Sequence, residues 1–75
     1  MRTWLFEART GSGMTQLEVA NKAGVSESYY AMIEKGQRQQ RMDITLAAKF
    51  SLIFNIPLDR IVEMEAKEAE TDGSG

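Results

Sequence analysis

The chain contains no cysteine and no histidine. That double absence removes disulfide frameworks, thiolate chemistry, imidazole bases and almost every transition-metal site from consideration. Catalysis would have to rest on carboxylates alone. Pairs such as Glu63 and Glu65 stand on a charged stretch with no nucleophile or base to complete a catalytic constellation, so no enzyme is expected. No cofactor, no metal site and no small-molecule substrate is indicated either. Long hydrophobic runs are missing as well: the opening segment MRTWLFEARTGSGM carries Arg2, Glu7 and Arg9 inside its only apolar stretch. Neither a signal-peptide core nor a membrane span of about 20 residues fits there, and a cytoplasmic protein with no membrane partner is expected.

A net positive charge is lacking too, since the formal charge is −2. The distribution matters more than the sum. Up to Asp43 the chain holds Arg2, Arg9, Lys22, Lys35, Arg38 and Arg41 against Glu7, Glu18, Glu27, Glu34 and Asp43. From Ile44 onward Lys49, Arg60 and Lys67 face Asp59, Glu63, Glu65, Glu68, Glu70 and Asp72. A dipolar molecule of this kind can present its basic end to a polyanion. With 75 residues, one small domain around a single core is expected.

What is present is helical patterning, in five segments with no convincing strand. Helix 1 is expected from about Arg2 to Thr10, with Leu5, Ala8 and Trp4 inward, ending in the breaker cluster Gly11-Ser12-Gly13. Thr15 with Glu18 three residues on forms a capping box at the start of helix 2. Leu17, Val19, Ala20 and Ala23 are its apolar positions, and Gly24 supplies the positive φ that ends it. Ser26 caps helix 3, which runs to about Lys35 before Gly36. After a polar stretch, Asp43 caps helix 4, with Ile44, Ala47, Phe50, Ser51 and Phe54 facing the core. Asn55 suits a left-handed C-terminal position and Pro57 the first turn of helix 5, whose buried face is Leu58, Ile61 and Val62. Residues 1–64 are thus expected to form the domain, and 65–75 an acidic flexible tail or the start of a linker.

The stretch QLEVANKAGVSESYYAMIE, Gln16 to Glu34, is the most specific part of the sequence. Ala20 lies midway along one short helix, Gly24 at a sharp break, and Val25, Tyr30 and Ile33 where a second helix must pack back on the first. In their order, Thr15-Gln16, Glu18, Ala20, Gly24-Val25-Ser26, Ile33-Glu34 and Gly36 resemble the phage-repressor and Cro-like helix-turn-helix regulators, the XRE type. The resemblance covers about Leu5 to Val62. It implies an all-α, five-helix bundle of the lambda-repressor-like type, in which helices 2 and 3 form the motif. It also implies a sequence-specific regulator of transcription, usually a repressor, that binds double-stranded DNA with helix 3 in the major groove.

Several residues then acquire implied roles. Gln16, at the first turn of helix 2, matches a residue that meets a DNA phosphate, where a helix N-terminus favours an anion. Ser26, Glu27, Ser28 and Met32 match the outward face of the recognition helix, with Tyr29 at its edge offering a hydroxyl to phosphate and a ring to a thymine methyl. Tyr30, about 100° further round, matches a buried position. Glu27 departs from the family, where Gln, Arg or Lys is common. It either accepts from cytosine N4 or only favours the helix N-terminus electrostatically. Met32 either touches a thymine methyl or fills a gap beneath the helix. Lys35, Gln37, Arg38, Gln39, Gln40 and Arg41 form a basic, amide-rich stretch placed to clamp phosphates. Arg9 and Glu34 match a structural ion pair tying helix 1 to the end of helix 3.

The implied partner is a pseudo-palindromic operator read by a homodimer, with helix 5 and the segment after it, Met64 included, as the dimer surface. The rival is a protein-interaction module of the same fold that binds another regulator, a toxin or polymerase.

Overall fold

The computed structural model describes the backbone over residues 1–36 and 42–73, and side chains over 1–36 and 42–67. Among these, five helices and no strand are found: α1 (Thr3–Gly11), α2 (Gln16–Ala23), α3 (Glu27–Lys35), α4 (Ile44–Phe54) and α5 (Leu58–Gly73). The fold is the all-α bundle that the resemblance implied.

α2, α3 and α4 begin and end for local reasons. At α2, the Thr15 hydroxyl accepts the Glu18 backbone N–H at 3.1 Å and Glu18 Oε1 accepts that of Thr15 at 2.8 Å. Two N–H groups without helical partners are satisfied reciprocally. Gly24 closes α2 at φ 73°. Ser26 Oγ then takes the Tyr29 N–H to start α3, and Asp43 Oδ1 takes that of Leu46 to start α4. Asn55 ends α4 at φ 56°, a value that asparagine tolerates better than most side chains. Pro57 stands just before α5, with its carbonyl accepting from Ile61.

α2 packs on both α3 and α4, α4 packs on α5, and α1 closes on α3. The core formed between them is Trp4, Leu5, Val19, Ala20, Ala23, Tyr30, Ile33, Leu46, Ala47, Phe50 and Ile61. At its centre the Tyr30 ring meets the Phe50 ring edge-on, with centroids 5.9 Å apart and planes at 81°. This arrangement matches the quadrupoles of the two rings.

Three residues expected in the core are not there. Leu17 is 49% exposed, Ile44 65% and Val62 54%. In each helix the offending residue lies about 100° around the axis from the direction in which its buried neighbours point. α2 buries Val19, Ala20 and Ala23, α4 buries Leu46, Ala47 and Phe50, and α5 buries Ile61 with Leu58 and Met64 partly covered. Leu46 therefore replaces Ile44 as the core residue of the first turn of α4.

The last helix extends beyond Met64. α5 runs to Gly73, and Glu65 within it is tied to the first helix and the residue before it. Its carboxylate accepts Arg2 Nε at 2.9 and 3.0 Å and Trp4 Nε1 at 2.7 Å. Arg2 is itself buried, its backbone N–H donating to the Glu34 carbonyl at 2.8 Å and its Nη1 to the carbonyl of Ile33. This clasp holds the start of the chain against α3 and α5. Gly36 is required beside it, because a Cβ there would sit 3.1 Å from Arg2 N while the backbone stands at φ +66°. Replacing Glu65 by alanine removes the acceptor shared by Arg2 Nε and Trp4 Nε1 and is expected to cost about 1–3 kcal/mol. The urea midpoint reports the loss, and Trp4 emission should change with it; an unaltered midpoint would contradict the clasp.

Candidate nucleic-acid interface

α3 has one face committed to the fold and one left free. Tyr30, Ile33 and Glu34 are buried, whereas Glu27, Ser28, Tyr29, Met32 and Lys35 are exposed. Ser28, Met32 and Lys35 lie within about 60° of each other around the axis, with Glu27 and Tyr29 on opposite flanks. Met32 thus points outward and does not fill a gap beneath the helix. Ser26 is exposed too, but its oxygen is engaged in capping α3.

The buried face is tied down by Glu34. Its Oε2 accepts Arg9 Nε at 2.7 Å and the Tyr30 hydroxyl at 2.8 Å. Its Oε1 accepts Arg9 Nη2 at 3.2 Å and Gln16 Nε2 at 3.0 Å. One carboxylate therefore joins α1, the first residue of α2 and α3. Arg9 also donates to the Met14 carbonyl at 3.1 Å, which anchors the turn before α2.

Electrostatics follow from that geometry. Burial by itself would raise the Glu34 pKa, but donors from Arg9, Tyr30 and Gln16 more than offset it, so the carboxyl titrates below its ordinary value. The hydrogen bond to Glu34 raises the Arg9 pKa further. Burial, followed by the adjacent carboxylate, pushes the Tyr30 hydroxyl above its ordinary value. At neutral pH the set is an ion pair with a neutral phenol and a neutral amide.

Gln16 consequently has two jobs open to it. One N–H of its amide is held by Glu34, and an amide nitrogen carries a second. The backbone N–H groups of the first turn of α2 face the same end of the helix. No sequence signal announces the Gln16–Glu34 bond, because a separation of 18 residues matches no helical or turn spacing. Lys49, from α4, donates to the Ala23 carbonyl at 3.1 Å and so secures the other end of α2.

Gln16, Glu27, Ser28, Tyr29, Met32 and Lys35 thus lie on the two helices of the motif, and Ser26 caps the second. Gln37, Arg38, Gln39, Gln40 and Arg41 lie outside the described residues. No helix among the described residues is long and apolar enough to cross a membrane.

Two short helices with a left-handed glycine between them, the second with a free outer face, define the class as a helix-turn-helix domain. The helix-turn-helix family model matches residues 5–61. The chain belongs to this family, among its XRE-like regulators. It is 34% identical over 68 residues to an uncharacterized HTH-type transcriptional regulator of Archaeoglobus fulgidus, covering 91% of this chain and 94% of that one. It is 49% identical over 39 residues to the uncharacterized HTH-type transcriptional regulator YqaF of Bacillus subtilis, covering 52% of this chain and 51% of YqaF. The second match therefore spans about half of that relative's length. No solved structure matches.

Proposed function

We propose that the domain is a cytoplasmic transcriptional regulator, acting as a repressor, that binds a specific duplex operator with α3 in the major groove and the start of α2 against the phosphate backbone. The observation that carries this reading is the division of α3. Its inner face is locked by Tyr30, Ile33 and Glu34, so its outer residues are presented on a rigid support. Gln16, tied to the same carboxylate, stands in fixed relation to them. Base contacts fall to Glu27, Ser28 and Met32, with Ser26 and Tyr29 at the margins. Phosphate contacts fall to Gln16, Lys35 and the following stretch Gln37 to Arg41.

A homodimer on a pseudo-palindromic site completes the reading. Support comes from α5 and α4, which form a groove of about 300 Å³ lined by Met42, Ile44, Ala47, Ile61, Val62 and Glu65. Exposed Ile44 and Val62 are the apolar surface that a second copy would cover, beside the partly covered Met64.

A salt titration of binding to random duplex DNA tests the proposal. Affinity should fall linearly on a log–log scale through counterion release, and Lys35→Ala should reduce the slope by about 1. Failure to bind any duplex at low salt overturns the reading.

A further inference from the structure

The DNA reading assigns Glu27 a base contact but leaves open which base it reads. Glu27 opens α3, where a carboxylate commonly serves the backbone. Here the side chain that does so is Ser26, whose Oγ accepts the Tyr29 N–H at 3.1 Å. Among the described residues no hydrogen bond or ion pair engages the Glu27 carboxylate, which lies exposed about 100° from Ser28 around the helix. The group that most disfavours binding to a polyanion is therefore not consumed by the fold.

We propose, resting on the DNA reading above, that Glu27 is a specificity-determining residue that accepts a hydrogen bond from the exocyclic amine of a cytosine in the major groove. An ionised carboxylate only accepts. Guanine presents two acceptors to the groove, and thymine an acceptor beside a methyl, so both are rejected. Adenine offers one donor, N6, beside the acceptor N7, and the second carboxylate oxygen would face that lone pair. Cytosine offers N4–H beside a C–H, with nothing to repel the second oxygen. The order expected at this position is cytosine above adenine, with guanine and thymine last. The negative charge weakens binding to every sequence equally, so Glu27 raises discrimination while lowering affinity.

The test begins by selecting bound sites from a random duplex library and then varies one base pair. The selected half-site should contain a C·G pair whose replacement by G·C lowers affinity about 5- to 100-fold. N4-methylcytosine at that position pairs normally through its remaining N–H but turns its methyl into the groove; it should lower affinity of the unaltered protein comparably. Glu27→Gln should bind random duplex several-fold more tightly and move the preference from cytosine to adenine, which an amide can bridge through N6 and N7. Salt-dependent binding with an unchanged base ranking in Glu27→Gln, or indifference to the N4-methyl group, overturns this inference and leaves the DNA reading standing. Absence of binding to any duplex removes both.

Discussion

Replacing Arg9 by methionine should destabilise the domain by about 3–5 kcal/mol at neutral pH, a large part of the total stability typical of single domains. The reason is the partner left behind. Glu34 is 3% exposed, so without Arg9 an ionised carboxylate would stay buried with only Tyr30 and Gln16 as donors. The effect has a pH signature. The folded-state pKa of Glu34 is lowered from 4.5, so the unfolded chain takes up the proton first as the solution is acidified. The stabilisation is therefore complete above about pH 4.5 and is lost as pH falls through the folded pKa. Urea midpoints measured from pH 7 to pH 3 should drop in the unaltered protein and drop much less in Arg9→Met. Parallel acid losses in the two proteins would show that the pair does not control this titration. Tyr30 adds a second limb, since its raised pKa means that stability contributed by the neutral phenol declines as pH rises above about 10.

Phe50→Ala is expected to cost about 3–5 kcal/mol and to leave little folded protein at 37 °C. Phe50 is fully buried, meets Tyr30 edge-on at 5.9 Å and lies 6.0 Å from the Phe54 ring. Removing it opens a cavity behind the helix that presents the interface. Loss of DNA binding should follow loss of folding and recover with it at low temperature. Leu52→Ala is the control on the same helix: Leu52 is 84% exposed, so its removal should change the urea midpoint by less than about 0.5 kcal/mol equivalent. Equal losses from the two substitutions would contradict the assigned core.

These effects fall on residues with different visibility in the sequence. Tyr30, Phe50 and Ile33 could be read from helical spacing, because a buried stripe repeats every three or four residues. Leu17, Ile44 and Val62 satisfy the same spacing and are exposed. Spacing defines an angle around a helix but not which angle faces a neighbour, so an apolar residue 100° away reads equally well. The ends of α3 were legible from Ser26 and Gly36, whereas its outer face was expected only through the resemblance to the helix-turn-helix regulators.

The sequence by itself determined the ends of α2, α3 and α4. Thr15 with Glu18, Gly24, Ser26, Gly36, Asp43 and Asn55 act on backbone groups within a few residues of themselves, and such interactions survive in any tertiary context. It also marked Glu27 as an unusual reader, since charge is a property of the residue alone. Only the tertiary structure decided that Glu65 clasps Arg2 across 63 residues, and that Glu34 holds Gln16 across 18. It alone also left the Glu27 carboxylate with no partner among the described residues. Hydrogen bonds at such separations exist only after packing has brought two helices together, and packing depends on every buried side chain at once.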